Sequence, residues 1–76
     1  GEELAEAQTL TGLGNVELFL GSLEEAKRTF WSAFHIFSKK KQQEGIAYAL
    51  KGLGHVEYHL SHFDQARKLY DQSLKY

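Results

Sequence analysis

The chain has 76 residues, a net charge of −1 and no Cys, Pro or Met. That balance argues against an electrostatically driven nucleic-acid binder, and the missing cysteines exclude a disulfide framework or a thiolate metal site and fit a reducing, cytoplasmic setting. No apolar run reaches the roughly 20 residues of a membrane span. The length suits one small domain, residues 1–76, and a chain opening on Gly1 rather than Met reads as a piece of a longer protein.

Four helical segments are expected, and nothing alternates with the period of a strand. The first covers about residues 2–20. Leu10, Leu13, Val16 or Glu17, and Leu20 recur at spacings of three and four. Glu2, Glu3 and Glu6 suit the positive end of its dipole. Gly21 ends it. The second runs from Ser22 to about Lys40, with Ser22 and Glu25 spaced as a capping box. Its apolar stripe is Ala26, Phe30, Ala33, Phe34 and Phe37, and Lys39, Lys40 and Lys41 form a solvated, dipole-compatible end. The third covers about residues 43–60, with Ala47, Leu50, Leu53, Gly54 and Leu60 on its stripe. The fourth begins near Asp64 and carries Ala66, Leu69, Tyr70, Ser73 and Leu74. It is shorter than the second helix and reads as truncated. Turns of two to four residues imply antiparallel helix hairpins packed side by side.

The second pair of helices repeats the first after 40 residues. Leu10-Thr11-Gly12-Leu13-Gly14-Asn15-Val16-Glu17 returns as Leu50-Lys51-Gly52-Leu53-Gly54-His55-Val56-Glu57, and eight of 27 aligned positions in residues 10–36 and 50–76 are identical. Repeat 1 is about residues 2–40 and repeat 2 about 42–76. Such a period marks a stacked helical array. Gly14 and Gly54 fall mid-helix, where Gly costs about 1 kcal/mol against Ala. Their recurrence implies a closely approaching neighbour helix, with Ala26 and Ala66 opposite them.

The pattern Leu10, Leu13-Gly14, Gly21-Ser22-Leu23, Ala26, Phe30, Ala33, answered by Leu50, Leu53-Gly54, Ser61-His62-Phe63, Ala66, Tyr70, Ser73, resembles a tetratricopeptide repeat. It departs from that motif in three ways. Glu17 and Glu57 stand where an aromatic is expected, the closing Pro is missing, and the period is 40 rather than 34. The longer period resembles that of extended repeats in bacterial signalling regulators and cell-polarity scaffolds. The resemblance implies an all-α fold of two antiparallel hairpins in a right-handed solenoid. The first helix of each hairpin would line a concave groove that holds a peptide or helix of a partner protein.

On that reading the groove is Thr11, Asn15, Phe19, Tyr48, Lys51, His55, Tyr58 and His59. Trp31, Leu69, Tyr70 and Leu74 are candidates for self-association, because arrays generally need about three repeats or polar caps. The alternative function is a structural or self-association segment of a larger array, with no groove ligand of its own. His55 and His59 share a helical face, with His62 nearby, but no carboxylate is placed with them and no metal or other cofactor is expected. Glu17 and Glu57 recur as structural residues do, in contacts with Lys or Arg. With no nucleophile–base pair and no phosphate loop, no enzymatic activity is expected.

Overall fold

The helices α1 (Glu2–Phe19), α2 (Leu23–Lys39), α3 (Gln43–His59) and α4 (Phe63–Ser73) account for nearly the whole chain, with no strand. They are seen in a computed structural model that describes residues 1–76. No helix is long and apolar enough to cross a membrane.

The turns fall at an interval of 20 residues, half the sequence repeat. Each is closed by one residue with positive φ: Gly21 at 82°, Lys41 at 55° and Ser61 at 66°. At each, the next N–H reaches back to the carbonyl of the helix's last turn: Ser22 to Glu17 (2.8 Å), Gln42 to Phe37 (2.9 Å) and His62 to Glu57 (2.8 Å). The 5→2 bonds Gly21 to Leu18, Lys41 to Ser38 and Ser61 to Tyr58 complete the Schellman pattern. Ser61 therefore takes the part of Gly21, and His62 that of Ser22. Lys41 and Ser61 hold a left-handed conformation that is unfavourable for a residue with a Cβ. The expected capping box does not form. Ser22 occupies the N-cap, but its side chain makes no capping bond. The preceding Schellman turn already sets the entry of α2.

The backbone of α1 approaches α2 and α3, α2 approaches α3, and α4 approaches only α3. Two buried clusters lie along this arrangement. One is Ala7, Ala33, Phe37, Ile46 and Leu50; the other is Ala26, Phe30, Leu53 and Val56. Leu69 of α4 packs against both. Helix α1 departs from the stripe expected for it. Its buried residues are Ala7 and Gly14, while Leu13, Val16 and Leu20 face outward. The period was right, but several residues on the apolar face have no neighbouring element to cover them.

Aromatic rings, not alanines, occupy the glycine sites. A Cβ on Gly14 would fall 2.8 Å from Phe30 Cζ, and one on Gly54 2.7 Å from Tyr70 Cε1. Phe30 also meets Gly52, where a Cβ would lie 2.5 Å from its Cε1. Gly45 is pressed against the Phe37 ring in the same way. Thus α2 reaches α3 by laying two rings on glycine backbone. At the position matching Gly52 in the first repeat, a Cβ on Gly12 meets nothing within 4 Å.

Two identical substitutions should therefore have opposite signs. Gly12→Ala removes a mid-helix glycine and raises stability by up to about 1 kcal/mol. Gly52→Ala drives a methyl into Phe30, and overpacking of about 1–3 kcal/mol outweighs that gain. Urea unfolding of the two variants beside the wild-type chain checks both signs.

Candidate functional site

The face formed by α1 and α3 centres on Tyr48. Its side chain lines three pockets. The first, about 300 Å³, includes Leu4, Gln8 and Thr11. The second, about 150 Å³, is bounded by Asn15, Lys51, Gly52 and His55. The third, about 350 Å³, lies toward Ala47, Leu74 and Tyr76. Asn15 Nδ2 donates to the Tyr48 hydroxyl at 2.7 Å, which ties the ring of one hairpin to the other. Thr11 turns its hydroxyl back to the Gln8 carbonyl at 2.7 Å.

Of the eight groove candidates, Thr11, Asn15, Tyr48, Lys51 and His55 line these pockets. Phe19, Tyr58 and His59 line none of them. Phe19 is 90% exposed at the end of α1. Tyr58 packs edge-on against His59 and Phe63 beside the α3–α4 turn. These three share the helices of the other five but sit near the opposite end. Spacing along a helix selects a face; it does not say how far along that face a site extends.

His55 joins the face to the core of the second hairpin. The Tyr70 hydroxyl and His55 Nδ1 share a hydrogen bond of 2.8 Å, and the rings meet edge to face. Burial first, then the nearby Lys51 and His59, push the imidazole pKa below its usual value. Burial, with Tyr58 close by, raises that of the Tyr70 phenol. No group of three or more His, Asp or Glu side chains is placed to hold a metal ion.

On the opposite side, between α2 and α4, a cavity of about 390 Å³ is lined by Lys27, Trp31, Glu57, His62 and Leu69, with Leu53 and Gln65 completing it. Glu57 is only 7% exposed. Lys27 Nζ lies 3.1 Å from its Oε1, and His62 Nδ1–H donates to its Oε2 at 2.6 Å. Burial pushes the carboxyl pKa up, but the His62 and Lys27 bonds outweigh it and hold the group below the usual carboxylate range. The expected role of Glu57, pairing with a cation on another helix, is met by Lys27. The Lys27–Glu57–His62 arrangement itself could not be read from spacing, because its members lie on two helices and a turn. Glu17, its counterpart, has a buried Oε1 with no partner.

The four self-association candidates do not form one patch. Trp31 lines the α2–α4 cavity and stacks edge-on to Phe34 with centroids 5.2 Å apart. Leu69 is partly buried in the core, Tyr70 lies on Gly54, and Leu74 is exposed. The lysines at the end of α2 are not all free in solvent. Lys39 and Lys40 pair with Glu3 of α1 at 3.1 and 3.2 Å, and both bonds depress the Glu3 pKa.

A family model described as a tetratricopeptide repeat matches residues 4–76. No curated protein and no solved structure was found to match.

Because the folded pKa of Glu57 lies below its ordinary 4.5, its contribution to stability is complete above that pH. It is lost as pH falls through the folded value. Glu57→Gln should therefore unfold at lower temperature than the wild-type chain near neutral pH. The gap in Tm should narrow as pH falls below 4.5 toward the lowered folded pKa, as thermal melts followed by circular dichroism will register.

Proposed function

We propose, for a chain that belongs to the tetratricopeptide repeat family, that the α1/α3 face binds a peptide segment of a partner protein. Repeats of this family are protein-interaction modules and are typically not catalysts. The observation that carries the reading is the placement of Tyr48. An exposed aromatic stands where three pockets meet, with a free ammonium, Lys51, one turn away. Tyrosine supplies large contact area at low entropic cost and is enriched among residues that dominate binding.

The chemistry of the face suggests what fits. An apolar side chain of the ligand lies against the Tyr48 ring and Leu4. A carboxylate near it meets Lys51, whose amine has no acidic partner among the ion pairs of the chain. Asn15 and His55 offer polar atoms to the ligand backbone beside Lys51. The prearranged Asn15–Tyr48 bond lowers the cost of ordering the ring on binding. The set Thr11, Asn15, Tyr48, Lys51 and His55 is thus the proposed contact surface.

Selection of binders from a displayed peptide library, followed by fluorescence anisotropy, tests it. Tyr48→Ala should weaken selected peptides by at least about 30-fold, the equivalent of about 2 kcal/mol. Lys51→Glu should weaken those bearing a carboxylate by about 10-fold, with a loss that shrinks as salt rises. Lys68→Ala, on the exposed side of α4, should leave affinity unchanged. Peptides indifferent to both Tyr48→Ala and Lys51→Glu would place binding elsewhere.

A further inference from the structure

The two ends of the molecule are complementary, and the interface between its own hairpins shows how they fit. That internal interface has three parts. Phe30 of α2 lies on Gly52 of α3. Lys27 of α2 pairs with Glu57 of α3. Leu53 and Val56 of α3 are 1% and 0% exposed beneath them.

Moved by one 40-residue repeat, every one of these groups has a counterpart, and each counterpart lacks its partner. Gly12 matches Gly52 and faces open space. Leu13 and Val16 match Leu53 and Val56, yet they are 46% and 54% exposed. Glu17 matches Glu57, and its buried Oε1 has nothing to bond. At the other end, Tyr70 matches Phe30 and lies on Gly54 of its own hairpin, as Phe30 lies on Gly14. Arg67 matches Lys27 and is exposed, with no carboxylate bound to it.

We propose that copies of this chain stack head to tail, the α3–α4 hairpin of one seating on α1 of the next. Tyr70 of one copy lies on Gly12 of the second, and Arg67 of the first pairs with Glu17 of the second. The apolar faces at Leu13 and Val16 close as those at Leu53 and Val56 do. Two observations support a second copy as the occupant. The charges are of opposite sign at matching positions, and the glycine notch has the register of the ring that must enter it. A buried carboxylate oxygen with no partner, such as Glu17 Oε1, is costly, and Arg67 of a second copy supplies the cation that satisfies it. The contact uses different surfaces at its two sides, so it is heterologous and continues from copy to copy instead of closing as a two-fold dimer. It goes beyond the peptide-binding reading, since neither face includes Tyr48 or Lys51.

Sedimentation and light scattering over a concentration series test the proposal. The average mass of the wild-type chain should climb with concentration from 8.7 kDa past that of a dimer. Gly12→Leu fills the notch at an exposed position where a Cβ meets nothing within 4 Å, so it should stay helical by circular dichroism and remain monomeric. Arg67→Glu should do the same. Mixed with folded Glu17→Lys, it should associate again past the dimer mass, the two variants alternating, because the Arg67→Glu face meets the Glu17→Lys face and the unaltered Arg67 of the second variant meets the unaltered Glu17 of the first. A wild-type chain that stays at monomer mass throughout overturns the proposal. So does association that persists in folded Gly12→Leu, or a mixture of the two folded charge variants that stays monomeric. If Glu17→Lys fails to fold, Gly12→Leu and Arg67→Glu still decide the matter.

Discussion

The ring of Phe30 lies against glycine backbone on two helices at once, Gly14 of α1 and Gly52 of α3. Most of what distinguishes this fold depends on that contact. A flat ring can approach a helix closely only where no Cβ stands in the way, so two mid-helix glycines are retained despite their low helix propensity. In return α2 joins both first helices of the array, and the α1/α3 face is held at a fixed spacing. Asn15 can then reach the Tyr48 hydroxyl from the neighbouring hairpin. Phe37 on Gly45 repeats the device farther along α2, so the two hairpins are joined at two points and their relative rotation is restrained.

Charge sits on this frame unevenly. The carboxylate of Glu57 is buried, yet it stays ionised because a lysine of the preceding hairpin and a histidine of the following turn both reach it. It thereby links α2, α3 and the entry to α4. Glu17 has the same position in its own hairpin and lacks both links. The difference lies in neighbours, not in helix geometry: Ser22 stands where His62 does, and no helix lies on the outer side of α1. Equal residues in a repeat have unequal energies when the surroundings that complete them are unequal.

Much of the fold was legible in the sequence for a physical reason. Helical period and small residues are local or repeated signals, so the four helices fell within a residue or two of their expected ends. Gly21 announced its turn because glycine favours positive φ. Lys41 and Ser61 adopt the same conformation without advertising it. Local readings failed where a tertiary partner decides. Ser22 and Glu25 had capping spacing, but the Schellman turn set that junction. Ala26 and Ala66 are the partners that small residues suggest, while the rings four residues later, Phe30 and Tyr70, take the space. Part of the candidate groove was visible as a helix face. Its division into a set around Tyr48 and a separate group at Phe19, Tyr58 and His59 depends on where neighbouring helices leave hollows, which periodicity does not encode.

The doubly seated ring has a consequence for how the molecule comes apart. In a linear array, cooperativity is carried by the coupling between neighbouring units, not by the intrinsic stability of each. Here part of that coupling passes through the Phe30 ring. With Phe30 in place, loss of α3 strips the ring of half its seat, and the first hairpin follows. The two hairpins then melt as a single unit. With the ring truncated, the coupling between the hairpins is weakened, and unfolding shifts toward a fraying that starts at α4, the helix whose backbone approaches only α3.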